Sequence, residues 1–110
     1  MRPATYDRDM AIDVRDNPAD NSYEVFLDDE LAGFAAYRRG DGAITMTHTE
    51  VDPAFEGKGI GSGLARGALD DVRRAGLALL PRCSFIKGYI ARHDEYLDLV
   101  PAERRGEFGL

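Results

Sequence analysis

The spacing of apolar and polar residues changes along the chain, and each change marks an element. Ile12 and Val14 alternate with Asp13 and Arg15, so Ala11 to Arg15 reads as a short edge strand. Asn17-Pro18-Ala19-Asp20 has turn chemistry. Tyr23, Val25 and Leu27 then alternate with Glu24 and Phe26, a second strand, ahead of an acidic turn at Asp28, Asp29 and Glu30. From Leu31 to Arg38 apolar residues occupy both parities (Leu31, Ala32, Phe34, Ala35, Ala36, Tyr37), which predicts a strand covered on both faces. Arg39-Gly40-Asp41-Gly42 turns the chain into Ala43–Val51, a breaker-free run rich in Thr, Ile and Val. Four strands on short loops predict an antiparallel meander.

Pro53 ends that run, because it has no N–H for the ladder. Gly57, Gly59, Gly61 and Gly63 follow at alternate positions, and the period then becomes helical: Ile60, Leu64, Ala68, Leu69 and Val72 share one face. The helix is expected from about Ile60 to Ala75, with Gly76 where a left-handed cap belongs and with Arg66–Asp70 and Asp70–Arg74 as solvent-side pairs. Leu77-Ala78-Leu79-Leu80, closed by Pro81, reads as a buried parallel strand, completing a βαβ unit. Ser84 is the expected cap of a second helix, with Phe85, Ile86, Tyr89 and Ile90 as its apolar stripe and an end near His93. Asp94 to Leu97 can add one more turn. The fold class is thus α/β in the mixed, α+β sense: a meander of about four strands, a βαβ crossover and a C-terminal helix. Residues 1–21 read as a partly frayed segment with a possible edge strand, 22–100 as a single domain, and 101–110 as a loose tail.

Composition narrows the function classes. The 110 residues suit one domain, and 44% hydrophobic with 31% charged residues is ordinary for a globular chain. A net charge of −6 argues against a general nucleic-acid binder, which needs a basic face, and suits a cationic or amine substrate. Cys83 is the only cysteine, so no intramolecular disulfide or thiolate metal cluster is expected. No stretch reads as a signal h-region or a membrane span, which makes a cytoplasmic location the default and a membrane partner unexpected.

The chemistry centres on the strand, glycine turn and helix from Ala43 to Ala75. Backbone N–H groups gathered at a helix N-terminus suit a phosphate or pyrophosphate. The P-loop pattern is absent, because no Gly-Lys pair is followed by Ser or Thr, and the dinucleotide pattern fails at its third glycine. What fits is Gly59-x-Gly61 preceded by Glu56, within EGKGIGSGLA. This resembles motif A of the GNAT superfamily of N-acetyltransferases, Q/R-x-x-G-x-G/A, with Glu56 in place of the Gln or Arg and Lys58 as a substitute cation. HTEV at 48–51, LPRCSF at 80–85 and YIARHDEY at 89–96 extend the resemblance to short, minimal GNAT-like proteins over roughly Tyr23 to Val100.

The resemblance implies acetyl-CoA as co-substrate, no metal, and a primary amine acceptor: a protein lysine, a polyamine or a small metabolite. It makes Gly57, Lys58, Gly59, Ile60, Gly61 and Ser62 the pyrophosphate cradle. The backbone near Val51 polarises the thioester carbonyl, as an N–H aimed at a developing oxyanion does in acyl transfer. Tyr89, Arg92 and His93 are further candidate cofactor contacts, Arg92 and His93 at the 3′-phosphate or adenine, and Tyr89 and Tyr96 are also candidate general acids. An incoming lysine-type ammonium, with a reference pKa of ~10.4, needs a base. Glu50 and His48 sit two apart on one strand, roughly 7 Å along it. Without a bulge they share a face with Ile44 and Met46, apolar neighbours that make a carboxylate more basic. Cys83, past the end of the second parallel strand and at a helix start, is an alternative acyl-accepting nucleophile, or a small buried side chain. Two functions remain in view: an N-acetyltransferase, and a non-catalytic CoA or acyl-CoA sensor or interaction module. The protein is expected as a monomer or a homodimer.

Overall fold

The computed structural model describes residues 11–110. Five strands, β1 (Ile12–Asn17), β2 (Ser22–Leu27), β3 (Glu30–Gly40), β4 (Ala43–Val51) and β5 (Ala78–Pro81), lie side by side in chain order. The first four form the antiparallel meander, and β5 runs parallel to β4. The crossover between β4 and β5 is α1 (Ile60–Arg74), and α2 (Ser84–Arg92) follows β5. This mixed sheet is the architecture the alternation and the resemblance imply.

Both helices pack on the same face of the sheet. Ile60, Leu64, Ala65, Ala68, Leu69 and Val72 of α1 and Ile86, Tyr89 and Ile90 of α2 join Tyr23, Val25, Ala35, Tyr37, Ile44, Met46 and Leu79 in one core. Glycines let α1 settle close to β1: a Cβ on Gly67 would lie 2.7 Å from Val14, and one on Gly63 would lie 3.0 Å from Ile12. The buried tyrosines carry their hydroxyls to carboxylates, Tyr23 to Asp71 at 2.7 Å, Tyr37 to Asp16 at 2.6 Å and Tyr96 to Asp70 at 2.7 Å. Burial and the bond to Asp71 raise the Tyr23 phenol, and burial and the bond to Asp16 push Tyr37 up to about 12.

Several expectations need correction. Among the described residues no helix covers the second face of β3: Leu31 is 53% exposed, and Phe34 and Ala36 are only partly buried, because α1 and α2 lie on the other side. Asp70 is taken by Tyr96 and Arg74 pairs with Asp71, so the i,i+4 pairs expected along α1 do not form. Cys83, not Ser84, is the N-cap of α2, and it makes no side-chain capping bond. The tail is not loose: Ala102–Phe108 forms a 3-10 segment whose Phe108 is buried in the core, with Arg82 over its ring.

Candidate active site

Everything at the site follows from how β4 ends. Its first half, Ala43 to Met46, is paired on both sides, with β5 partners running from Ala78 to Pro81. The Met46 carbonyl then accepts from both Arg82 N–H (2.9 Å) and Cys83 N–H (3.0 Å), and the two strands part. Thr47 to Val51 continue with β3 alone. The register fixes which groups face the gap. Asp52 N–H bonds to the Ala32 carbonyl at 2.8 Å, which makes Gly33 and Val51 a non-hydrogen-bonded pair. Val51 therefore turns its N–H and C=O away from β3, into the opening beside β5, and by alternation so does Thr49. The Val51 amide named for carbonyl polarisation thus faces this opening. Gly33 enables it: a Cβ there would lie 2.5 Å from the Glu50 carbonyl oxygen and 3.1 Å from Val51 Cα.

The glycine loop stands across this opening. Gly57 and Gly59 have φ of +82° and +75°, in the left-handed region where glycine is unstrained, and Gly59 caps α1 with no side chain to offer. Among the described residues the N–H groups of 57–62 have no acceptor within the protein; the first loop amide used near them is Gly63 N–H to the Gly59 carbonyl at 3.0 Å. Unpaired amides at the positive end of a fifteen-residue helix are an arrangement suited to an anion. Val51, Phe55, Glu56, Gly57, Gly59, Ile60, Gly61, Ser62 and Phe85 enclose a hollow of about 280 Å³. A second hollow of about 280 Å³ opens on the other side of Gly59 and Ser62, walled by Gly63, Arg66, Tyr89 and His93. His93 stacks on Tyr89 with ring centroids 4.0 Å apart and donates from Nδ1 to the Tyr89 carbonyl. Lys58 and Arg92 are exposed and line neither hollow.

Glu50 and His48 lie elsewhere than expected. Ala36 pairs with His48 while the next residue, Tyr37, pairs with Met46, so Thr47 is an extra residue in β4. This bulge reverses the parity, as a one-residue insertion must. His48 and Glu50 consequently face solvent beside Phe34, on the side of the sheet opposite Ile44 and Met46, and the apolar flank expected for Glu50 is absent. His48 Nε2–H donates to Glu50 Oε2 at 2.8 Å, with both side chains more than half exposed (58% and 63%). Thr49 takes the core side instead, and its Oγ1 lies 3.2 Å from Cys83 Sγ. Cys83 is 7% exposed, so the sheet stands between this thiol and the two base candidates. Tyr96 is committed to Asp70, and burial together with that bond pushes it up to about 12.

The sequence reading missed four contributors. Arg66, one turn past Ser62, is the cation on the wall of the second hollow. Phe85 places its ring against Gly61, where a Cβ would come within 2.9 Å of the ring, and so walls the first hollow. Phe55 also lines that hollow, from the 3-10 turn Pro53–Phe55. Gly33 has no signal in a single sequence beyond being a glycine inside a strand, which can mark close backbone approach. No group of three or more His, Cys, Asp or Glu that could hold a metal occurs among the described residues, and no helix among them is long and apolar enough to cross a membrane.

The sequence model of a family described as GCN5-related N-acetyl-transferase matches residues 22–99, and this supports acyltransferase chemistry in general. A search of curated proteins finds no match.

Proposed function

The chain belongs to the GCN5-related N-acetyltransferase family, and from that premise we propose that it moves the acetyl group of acetyl-CoA to a primary amine. One observation carries the reading: among the described residues the amides of 57–62 have no acceptor, and Gly57, Gly59, Ile60, Gly61 and Ser62 line a hollow that reaches Val51, where β4 leaves β5. A diphosphate on those amides leaves its nucleotide end toward Arg66, Tyr89 and His93 and its thioester arm toward Val51.

The residues then divide the work. Val51 N–H, or Thr49 N–H beside it, donates to the carbonyl oxygen as negative charge develops there. Glu50, held by His48, accepts a proton from the acceptor ammonium, directly or through one water. The freed amine forms the C–N bond, the C–S bond breaks, and the thiolate takes the second proton from the nitrogen. Direct transfer is favoured over a Cys83 acyl carrier, because Cys83 and the bases are on opposite sides of the sheet.

The exposure of both base candidates supports a second reading, a CoA sensor without efficient transfer. Calorimetry with CoA, followed by acetyl-CoA turnover against a panel of amines, tests both. Binding with turnover is expected. Binding without turnover leaves the sensor, and an absence of CoA binding defeats both readings.

A further inference from the structure

The face of the sheet opposite α1 and α2 carries a further hollow. Asp20, Ser22, Glu24, Leu31, Phe34 and Ala36 enclose about 260 Å³ there. Next to it a hollow of about 370 Å³ includes Leu31, Phe34, Glu50 and Val51, so the two share Leu31 and Phe34 and the second reaches the proposed base. The hollow at Asp20, Ser22 and Glu24 is arranged for a cation. Asn17 Nδ2 donates to both Glu24 Oε2 (3.2 Å) and Asp20 Oδ2 (3.4 Å), which draws two carboxylates together. Among the described residues neither has an ion-pair partner: Arg15, opposite Glu24 on β1, is held by Asp13 and lies over Phe26. Ser22 is 6% exposed, and its hydroxyl, on the wall of this hollow, has no hydrogen-bond partner among the described residues. A polar group so buried calls for a partner. Phe34, opposite Glu24 on β3, adds an aromatic side chain to the wall, where a cation gains from a ring face.

We propose that this hollow binds the distal ammonium of a linear polyamine acceptor, whose near ammonium is presented to Glu50. The proposal rests on the amine-transfer reading above. Glu24, Phe34 and Glu50 stand directly opposite one another on three adjacent strands. Glu24 and Glu50 are therefore about 10 Å apart along the backbone plane. The surface joining them, Leu31 and Phe34, is apolar, and the sheet there shows side chains rather than an unpaired edge. A polymethylene chain fits that surface. A peptide would bring N–H and C=O groups that find no partners on it.

The test has two arms. In the first, acetyl transfer is measured for a series of straight-chain diamines, spermidine, the matching monoamines and a Lys-Gly-Lys peptide. Diamines and spermidine should exceed monoamines in kcat/KM by about tenfold, a factor typical of one additional charge pair and ring contact. Glu24→Gln and Phe34→Leu should each bring that ratio close to one while CoA affinity stays at the wild-type level. In the second arm, spermidine binding to the protein without CoA is followed by calorimetry. It should be detectable and should be lost in Glu24→Gln, with no competition from calcium ions alone. Equal rates for monoamines and diamines, preference for the peptide, or calcium displacing spermidine would each overturn the proposal. Were CoA to bind and no amine to react, the transfer reading would fall, and the hollow would be judged by the spermidine arm alone.

Discussion

The two halves of β4 behave as different kinds of strand. From Ala43 to Met46 both edges are paired, alternation is regular, and Ile44 and Met46 are buried. From Thr47 to Val51 one edge is open, a bulge has reversed the faces, and His48 and Glu50 turn outward. The first half is held by its neighbours on all sides, so it has no free backbone group to offer a ligand. The second half has amides to spare because β5 stops at Pro81, and it stays in place because β3 and Gly33 hold its other edge. Stability and chemistry thus occupy consecutive residues of one strand, separated at Thr47.

That division can be broken from either side. Met46→Ala, in the first half, should cost about 2–5 kcal/mol in chemical denaturation, the range for truncating a fully buried methionine. Glu50→Gln, in the second half, should lower kcat about a hundredfold at unchanged CoA affinity and unchanged denaturation midpoint. Equal damage to stability from both substitutions would erase the distinction between the halves. Gly59→Ala forces a non-glycine residue to φ +75°, so CoA binding by calorimetry should weaken by about tenfold, the equivalent of the ~1–2 kcal/mol left-handed penalty. Tyr37, opposite Met46, sharpens the contrast through pH. Its phenol is held neutral in the fold, so its contribution is complete below the ordinary value of 10.0 and is lost as pH rises toward about 12. Tyr37→Phe should flatten the alkaline fall in melting temperature and leave turnover near neutral pH unaffected. The smallest effect is expected from Cys83→Ala, with turnover within about threefold of wild type if transfer is direct; loss to background would restore the covalent route.

Much of this was legible in the residues. Alternation and turn chemistry gave the meander, and Ala43–Val51 was bounded correctly because Gly42 and Pro53 flank it closely. Helix α1 was equally clear, since its apolar period and Gly76 agree with each other. The bulge was not visible. Thr45, Thr47 and Thr49 are equally at home on either face, so an inserted residue leaves the pattern intact while moving His48 and Glu50 to the other side. Phe34 and Ala36 suggest a covered face because apolar residues are read as buried, and nothing local reveals that both helices of the described residues pack on the other side. The tail was misread for the opposite reason. Phe108 stands among Arg104, Arg105, Glu107 and two glycines, and only its place in three dimensions makes it core.

The glycine loop is also the first turn of the helix that roofs the core, so the backbone that would grip a diphosphate anchors Ile60 and Leu64 as well. Occupancy and foldedness are then linked quantities. A ligand at a hundred times its dissociation constant adds about 2.7 kcal/mol to the native state. Heat resistance would therefore rise and fall with the supply of CoA, and the melting curve of this small domain would work as a gauge of that supply.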